Sequence, residues 1–348
     1  MLSFDVNGRK IGKGHPVFVI AEVSANHGQD FDRAVKMIEK AKECGADAVK
    51  FQTYTPDTMT IDVNNKYFQV NHHQWGGQTL YQLYKKGNTP WEWTVKLKKI
   101  CDDLGIIFFS SAFDKTSVDL LEDLNVSMHK ISSFEIVDLP LIEYVAKTKK
   151  PLILSTGMAS SQEIKEAVDT ARGAGAEKLL LLKCVSSYPA SPEEMNLKTI
   201  PDMAAKFECP VGLSDHTLSN TVALTSVAVG AVAVEKHFIL SRKITTPDSF
   251  FSIDQEELKE LIESIRTAEK ALGGVHYGVT NEEKGNLNFR RSLFVVKDIK
   301  AGEKFSEDNI RSIRPGNGLM PKHQYEVVGK KAKKDIKKGS PLKWTHIR

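Results

Sequence analysis

Two histidines close consecutive apolar runs, Val211-Gly-Leu-Ser-Asp-His216 and Val232-Ala-Val-Glu-Lys-His237. If both runs are strands and lie as parallel neighbours, the two imidazoles reach the same edge of one sheet. Neutral imidazoles converging there form half of a divalent-metal site, with the remaining positions open to substrate or water. Taken singly, a histidine after a strand is more often a hydrogen-bonded capping or core residue. The pairing therefore rests on what the other strands deliver.

Six further apolar runs also stop on polar side chains: Glu22; Lys50 and Gln52; Ser110 and Ser111; Lys130 and Ser133; Ser155 and Thr156; and Lys183 to Ser186. Ser214 and Glu235 precede the two histidines. Polar groups at every strand end would ring one mouth. Two lysines on different strands, with several hydroxyls, suit an anion that carries phosphate and carboxylate, and the histidine pair suits a divalent cation. Glu22 is the candidate acid or base, although a carboxylate among lysines could equally form a structural ion pair.

The elements that must position these groups alternate regularly. Apolar runs over 17–21, 48–51, 106–110, 128–131, 152–154, 179–184, 211–213 and 231–234 are separated by amphipathic helical patterns such as 32–44, 91–104, 161–174 and 219–229, with a last one over 255–272. This is the count and length of an α/β (β/α)8 TIM barrel, whose working face lies at the strand C-termini. An open dinucleotide-binding sheet would need a Gly-rich turn after the first strand, and the one GxG, Gly12-Lys-Gly14, precedes it.

Asn7-Gly8 predicts a tight hairpin within residues 1–15. The barrel is expected over 16–275, a linker over 276–289 and a small β-rich domain over 290–348. That last segment repeats a turn, Asp298-Ile-Lys-Ala-Gly302 and Asp335-Ile-Lys-Lys-Gly339, which predicts pseudo-symmetry. The connection over 53–90, with His72, His73, Trp75, Tyr81 and Tyr84, is long enough to be a lid or a substrate wall.

Bulk properties fit an ordinary globular protein: 348 residues, 41% hydrophobic, 26% charged, net charge +4. The one dense basic run, over 329–338, has no interleaved aromatic residues, so it reads as a solvated edge and no nucleic-acid partner is expected. No stretch approaches a membrane span, and Cys44, Cys101, Cys184 and Cys209 form no CxxC, which points to a reduced, cytoplasmic protein.

At the strand ends the chain resembles the sialic acid synthase family, the phosphoenolpyruvate-dependent synthases of nine-carbon sugars. The resemblance is carried by Ile20-Ala-Glu-Val-Ser-Ala-Asn-His27, Asp47-Ala-Val-Lys-Phe-Gln52, Lys130-Ile-Ser-Ser-Phe-Glu135, Ser155-Thr-Gly-Met158, Gly212-Leu-Ser-Asp-His-Thr217 and Glu235-Lys-His-Phe238. Arg311-Ser-Ile-Arg-Pro-Gly316 resembles the antifreeze-like (SAF) domain of those enzymes. Gln52 to Asp57, Thr79 to Tyr84, Thr89 to Trp93 and Lys183 to Pro189 fit the pseudaminic acid branch. Ser186 stands where N-acetylneuraminate synthases carry asparagine, and Arg242 to Asp248 replaces the usual Gly-Gly-Pro-Asp.

The resemblance implies a transferase in which phosphoenolpyruvate condenses with an open-chain amino sugar and phosphate leaves by C–O cleavage. It implies Mn2+ on His216 and His237, with Mg2+ or Co2+ as alternatives. It assigns Lys50, Ser111, Lys130, Ser133, Ser155, Ser186 and Ser214 to phosphoenolpyruvate, and Gln52, Tyr188 and Asp248 to the sugar, with Glu22 handling a proton. It further implies a domain-swapped homodimer in which Arg314 and Phe289 approach the partner's mouth. The alternatives are a synthase for N-acetylneuraminic or legionaminic acid, a non-catalytic antifreeze-like binding protein, and a metal-dependent hydrolase.

Overall fold

The computed structural model describes residues 3–348. Two compact units divide the chain, Met1–Gly273 and Gly274–Arg348. In the first, eight parallel strands close into a barrel: β3 (Phe18–Glu22), β4 (Ala48–Thr53), β5 (Ile107–Ala112), β6 (His129–Ile131), β7 (Leu152–Ser155), β8 (Leu179–Cys184), β9 (Val211–Asp215) and β10 (Ala233–His237), with β10 pairing back to β3. The TIM barrel expected from the sequence is the fold observed.

Side chains of a strand alternate between its two faces. Phe18, Ile20, Ala48, Phe109, Ile153, Leu180, Leu182 and Ala233 fill the barrel interior and form one cluster with Phe4, Val6 and Ile11. Those last three belong to a hairpin of β1 (Ser3–Val6) and β2 (Arg9–Gly12), whose turn places Asn7 and Gly8 at positive φ, as a type I′ turn requires. Arg9 fastens the hairpin to the strand N-termini by an ion pair to Asp47 at 2.7 Å and a bond donated to Val17 O at 3.1 Å. The opposite side-chain set, including Val19, Ala21, Val49, Phe51, Leu152, Leu154 and Leu181, packs against the helices.

The surrounding helices include α1 (Phe31–Cys44), α4 (Trp91–Leu104), α5 (Lys115–Asp123), α6 (Leu139–Ala146), α7 (Ser161–Gly173), α8 (Thr199–Phe207), α9 (Asn220–Ala228) and α10 (Gln255–Leu272). The long connection after β4 holds two short helices of its own, α2 (Pro56–Met59) and α3 (Leu80–Gly87), each opened by a threonine capping box.

The second unit holds a two-stranded sheet, β11 (Ser292–Val295) with β12 (Ile310–Ile313), and a short helix α11 (Gln324–Val327). The repeated turns face one another. Ile299 and Ile336 exchange both backbone hydrogen bonds, Lys300 pairs with Asp335 at 3.0 Å, and Lys337 pairs with Asp298 at 2.8 Å. The segment before this sheet contains a 3-10 turn, Lys284–Phe289.

Candidate active site

Above the apolar layer, the next inward positions carry charge. Glu22, Lys50, Lys130 and Glu235 are all buried. Lys130 Nζ lies 2.5 Å from Glu235 Oε1, which also accepts from Ser214 Oγ at 3.1 Å. Lys50 Nζ lies 2.7 Å from Glu22 Oε2, off the hydrogen-bonding direction, and 3.9 Å from Glu235 Oε1. Gln52 Nε2 bridges Glu22 Oε1 and Ser24 Oγ, each at 2.9 Å.

The two carboxyls are pushed apart. Burial raises the pKa of Glu22 and the Glu235 charge adds to this, with Lys50 offsetting only part. At Glu235 burial acts in the same sense, but the ammoniums of Lys130 and Lys50 outweigh it and hold the carboxyl down to about 2. Glu22 thus takes up a proton more readily than an ordinary carboxyl, while Glu235 stays ionised between the two lysines.

His216 and His237 stand at the rim, their ring centroids 5.3 Å apart. His216 Nδ1 donates to Val185 O at 2.9 Å, which fixes the tautomer and leaves a lone pair on Nε2. His237 Nδ1 is buried without a hydrogen-bond partner and lies 3.8 Å from Asp248 Oδ2. Burial and neighbouring His216 hold His237 neutral. Burial would lower His216 too, but Cys184, with Sγ 3.9 Å away, reverses the direction. One imidazole oriented by a hydrogen bond and a second with an orphaned Nδ1 fit a divalent cation as a half-site. No cluster of three or more His, Cys, Asp or Glu side chains able to hold a metal occurs among the described residues, so ligand oxygens would have to complete the coordination.

These groups face a cavity of about 370 Å³. Its walls come from several elements. Tyr188, after β8, packs 4.5 Å from the His216 ring and 5.0 Å from Phe251. Asp248 accepts from Ser24 Oγ at 2.5 Å and from the Ala25 amide at 3.3 Å, which couples the segment after β10 to the turn after β3.

Comparison with known proteins fixes the relationship. A model of the NeuB family matches residues 37–277, and a model of the SAF domain matches residues 290–348. The chain belongs to the NeuB family. NeuB-family relatives span nearly its whole length. A pseudaminic acid synthase of Campylobacter jejuni is 43% identical over 94% of this chain and 95% of its own. One of Helicobacter pylori is 42% identical over 94% and 96%, and an N,N'-diacetyllegionaminic acid synthase of Legionella pneumophila is 37% identical over 98% of both. Among solved structures, the spore coat polysaccharide biosynthesis protein spsE of Bacillus subtilis aligns over 99% of both chains with a TM-score of 0.67 at 35% identity. The N-acetylneuraminic acid synthetase of Leptospira borgpetersenii aligns over 83% of this chain and 96% of its own, with a TM-score of 0.74 at 31% identity. The chain is therefore an enzyme of this synthase family.

Within the NeuB-family barrel, every residue assigned to substrate or metal lines the cavity except Ser111 and Ser186, and of the other polar strand ends Ser110, Thr156 and Lys183 do not line it. Ser111 Oγ stands behind the floor, accepting from Lys50 Nζ at 3.3 Å and from Ser132 Oγ at 3.1 Å. Ser186 Oγ lies 3.9 Å from Cys184 Sγ. Ser155 Oγ is buried with no hydrogen-bond partner. Phe289 and Arg314 belong to the second unit, where both side chains are exposed. His72 and His73 lie side by side in the chain before α3, with His72 stacked on Trp75, and do not line the cavity.

The sequence reading gave no role to Glu135, Ser24 or, by itself, Trp75, yet all three line the cavity. Burial lifts the Glu135 carboxyl to about 7, and its Oε2 has no hydrogen-bond partner. Its available signal was a glutamate five residues after Lys130, in the 3-10 turn that follows β6.

Proposed function

We propose that the chain condenses phosphoenolpyruvate with the open-chain form of 2,4-diacetamido-2,4,6-trideoxy-L-altrose, giving pseudaminic acid and phosphate. The observation that carries this reading is one cavity lined by a buried lysine and carboxylate floor and by two adjacent imidazoles. The branch rests on the names and identities of the Campylobacter and Helicobacter relatives.

Lys50 and Lys130 supply positive charge to the phosphate and carboxylate, and Ser133, Ser155 and Ser214 supply hydroxyls to the same oxygens. Ser111 supports Lys50 from behind, and Ser186 borders this region. Gln52, Tyr188 and Asp248 hold the sugar so that its aldehyde carbon meets C3 of phosphoenolpyruvate. His216 and His237 would hold a divalent cation, Mn2+ first, which when bound polarises the aldehyde and stabilises negative charge on its oxygen.

The new bond joins C3 to the aldehyde carbon, whose oxygen takes up a proton. Water adds at C2, and cleavage of the C2–O bond releases phosphate. Glu22, whose pKa burial and the Glu235 charge raise above the ordinary carboxyl value, lines the cavity and is assigned the proton that moves at C2.

The same reading includes a domain-swapped homodimer, in which Phe289 and Arg314 of one copy complete the partner's cavity. The opposite charge of the units supports it: basic residues outnumber acidic ones about two to one over 274–348, and acidic residues outnumber basic ones in the rest.

Phosphate release from phosphoenolpyruvate, followed with this sugar and Mn2+, tests the proposal. Turnover that requires both substrates, falls on chelation and returns with metal supports it. Release without the sugar would replace it with a hydrolase. The 37% identity to a legionaminic acid synthase favours one second reading, the 2,4-diacetamido D-manno sugar as substrate, and the same assay separates the two.

A further inference from the structure

The cavity has two unlike walls. Besides the charged floor, the cavity is lined by Met59 on α2, Val70 and Trp75 in the chain that follows, and Leu80, Leu83 and Tyr84 on α3. Each of these side chains is only partly buried, and none joins the apolar clusters that hold the barrel and its hairpin together. Apolar surface left facing a water-filled cavity is unfavourable in the free protein. Its placement is accounted for by what it meets when the cavity is filled.

The wall is anchored. Trp75 Nε1 donates to Pro247 O at 2.6 Å, which ties it to the turn that carries Asp248. The Trp75 ring lies 5.5 Å from Tyr188, and Tyr84 packs edge-on against Tyr54 at 5.8 Å. The Thr79 and Gln82 capping box fixes the start of α3, so Leu80 and Leu83 face the cavity from a defined helix.

We propose that this wall determines specificity by selecting a sugar whose edge carries methyl groups where other sugars carry hydroxyls, namely a deoxy, N-acylated sugar. The inference rests on the proposed condensation and adds which side chains read the sugar. A hydroxyl pressed against Met59, Val70, Leu80 and Leu83 loses its water hydrogen bonds and finds no partner. A methyl group there gains apolar contact. An apolar pocket rejects an added hydroxyl by on the order of 100-fold.

The test compares kcat/KM for 2,4-diacetamido-2,4,6-trideoxy-L-altrose and its 6-hydroxy counterpart, read as phosphate release. It uses the wild type, Leu83→Asn and Leu80→Gln, with KM for phosphoenolpyruvate and a denaturation midpoint measured alongside. The wild type should prefer the 6-deoxy sugar by on the order of 100-fold, and each variant should narrow that ratio about tenfold while KM for phosphoenolpyruvate holds. Equal use of both sugars by the wild type, or a ratio unchanged in both variants, overturns the wall and leaves the condensation standing. Phosphate release with neither sugar overturns the condensation, and the wall with it.

Discussion

At the scale of single residues, chemistry follows from burial set against charge. His216→Ala or His237→Ala removes one of the two adjacent imidazoles, and kcat should fall on the order of 100- to 1000-fold. KM for phosphoenolpyruvate should change little, because the lysines that face it remain; steady-state kinetics with both substrates checks this. Glu135 makes a prediction about stability. Its carboxyl titrates near 7 when folded against an ordinary 4.5, so between those values the unfolded chain has lost a proton that the folded chain keeps. Stability should therefore fall as pH rises through this window, by at most about 3 kcal/mol, and level off above it. Denaturant midpoints at pH 5 and pH 7.5 should show a smaller drop in Glu135→Gln than in the wild type. The same carboxyl marks the limit of the sequence reading. Glu22, Lys50 and the histidines were legible because each ends an apolar run. Glu135 lies beyond its strand, in a turn whose direction no periodicity records.

At the scale of elements, the strands carry the site and a buried pair holds its edge. Lys236 points away from the barrel interior between Glu235 and His237, and its Nζ donates to Asp215 Oδ2 and to Thr217 O, both at 2.7 Å. Asp215 in turn accepts from the Thr217 amide at 2.9 Å. The backbone on either side of His216 is thus gripped by the neighbouring strand. Lys236→Met leaves Asp215 buried and unpaired, and should destabilise the fold by about 3–5 kcal/mol. Asp215→Leu combined with Lys236→Met should recover part of that loss in urea unfolding. The strands were readable as near-continuous apolar runs, the pattern of a sheet buried on both faces. Boundaries moved by one to three residues: the run expected to start at Met128 pairs from His129, and the last, expected to end at Val234, continues to His237. The connection over 53–90 read as a bare loop because its helices are short. The signals for α2 and α3 were the threonine caps Thr55 and Thr79.

For the whole molecule, barrel and small domain were both visible in the sequence, the first through eight repeats of strand and helix and the second through its duplicated turn. A dimer interface was not, because composition alone fixes none; the swapped homodimer came only with the family resemblance. If Arg314 of one copy serves the partner's cavity, His216→Ala and Arg314→Ala enzymes, each impaired alone, should regain activity when mixed and allowed to exchange subunits. Light scattering should report a dimer. The most direct measurement on the proposed reaction uses phosphoenolpyruvate labelled with 18O in its C2–O bridge, incubated with enzyme, Mn2+ and the altro-configured diacetamido sugar. C–O cleavage predicts phosphate released in step with sugar consumption and carrying the label. Unlabelled phosphate, or no phosphate unless a manno-configured sugar is supplied, would contradict it.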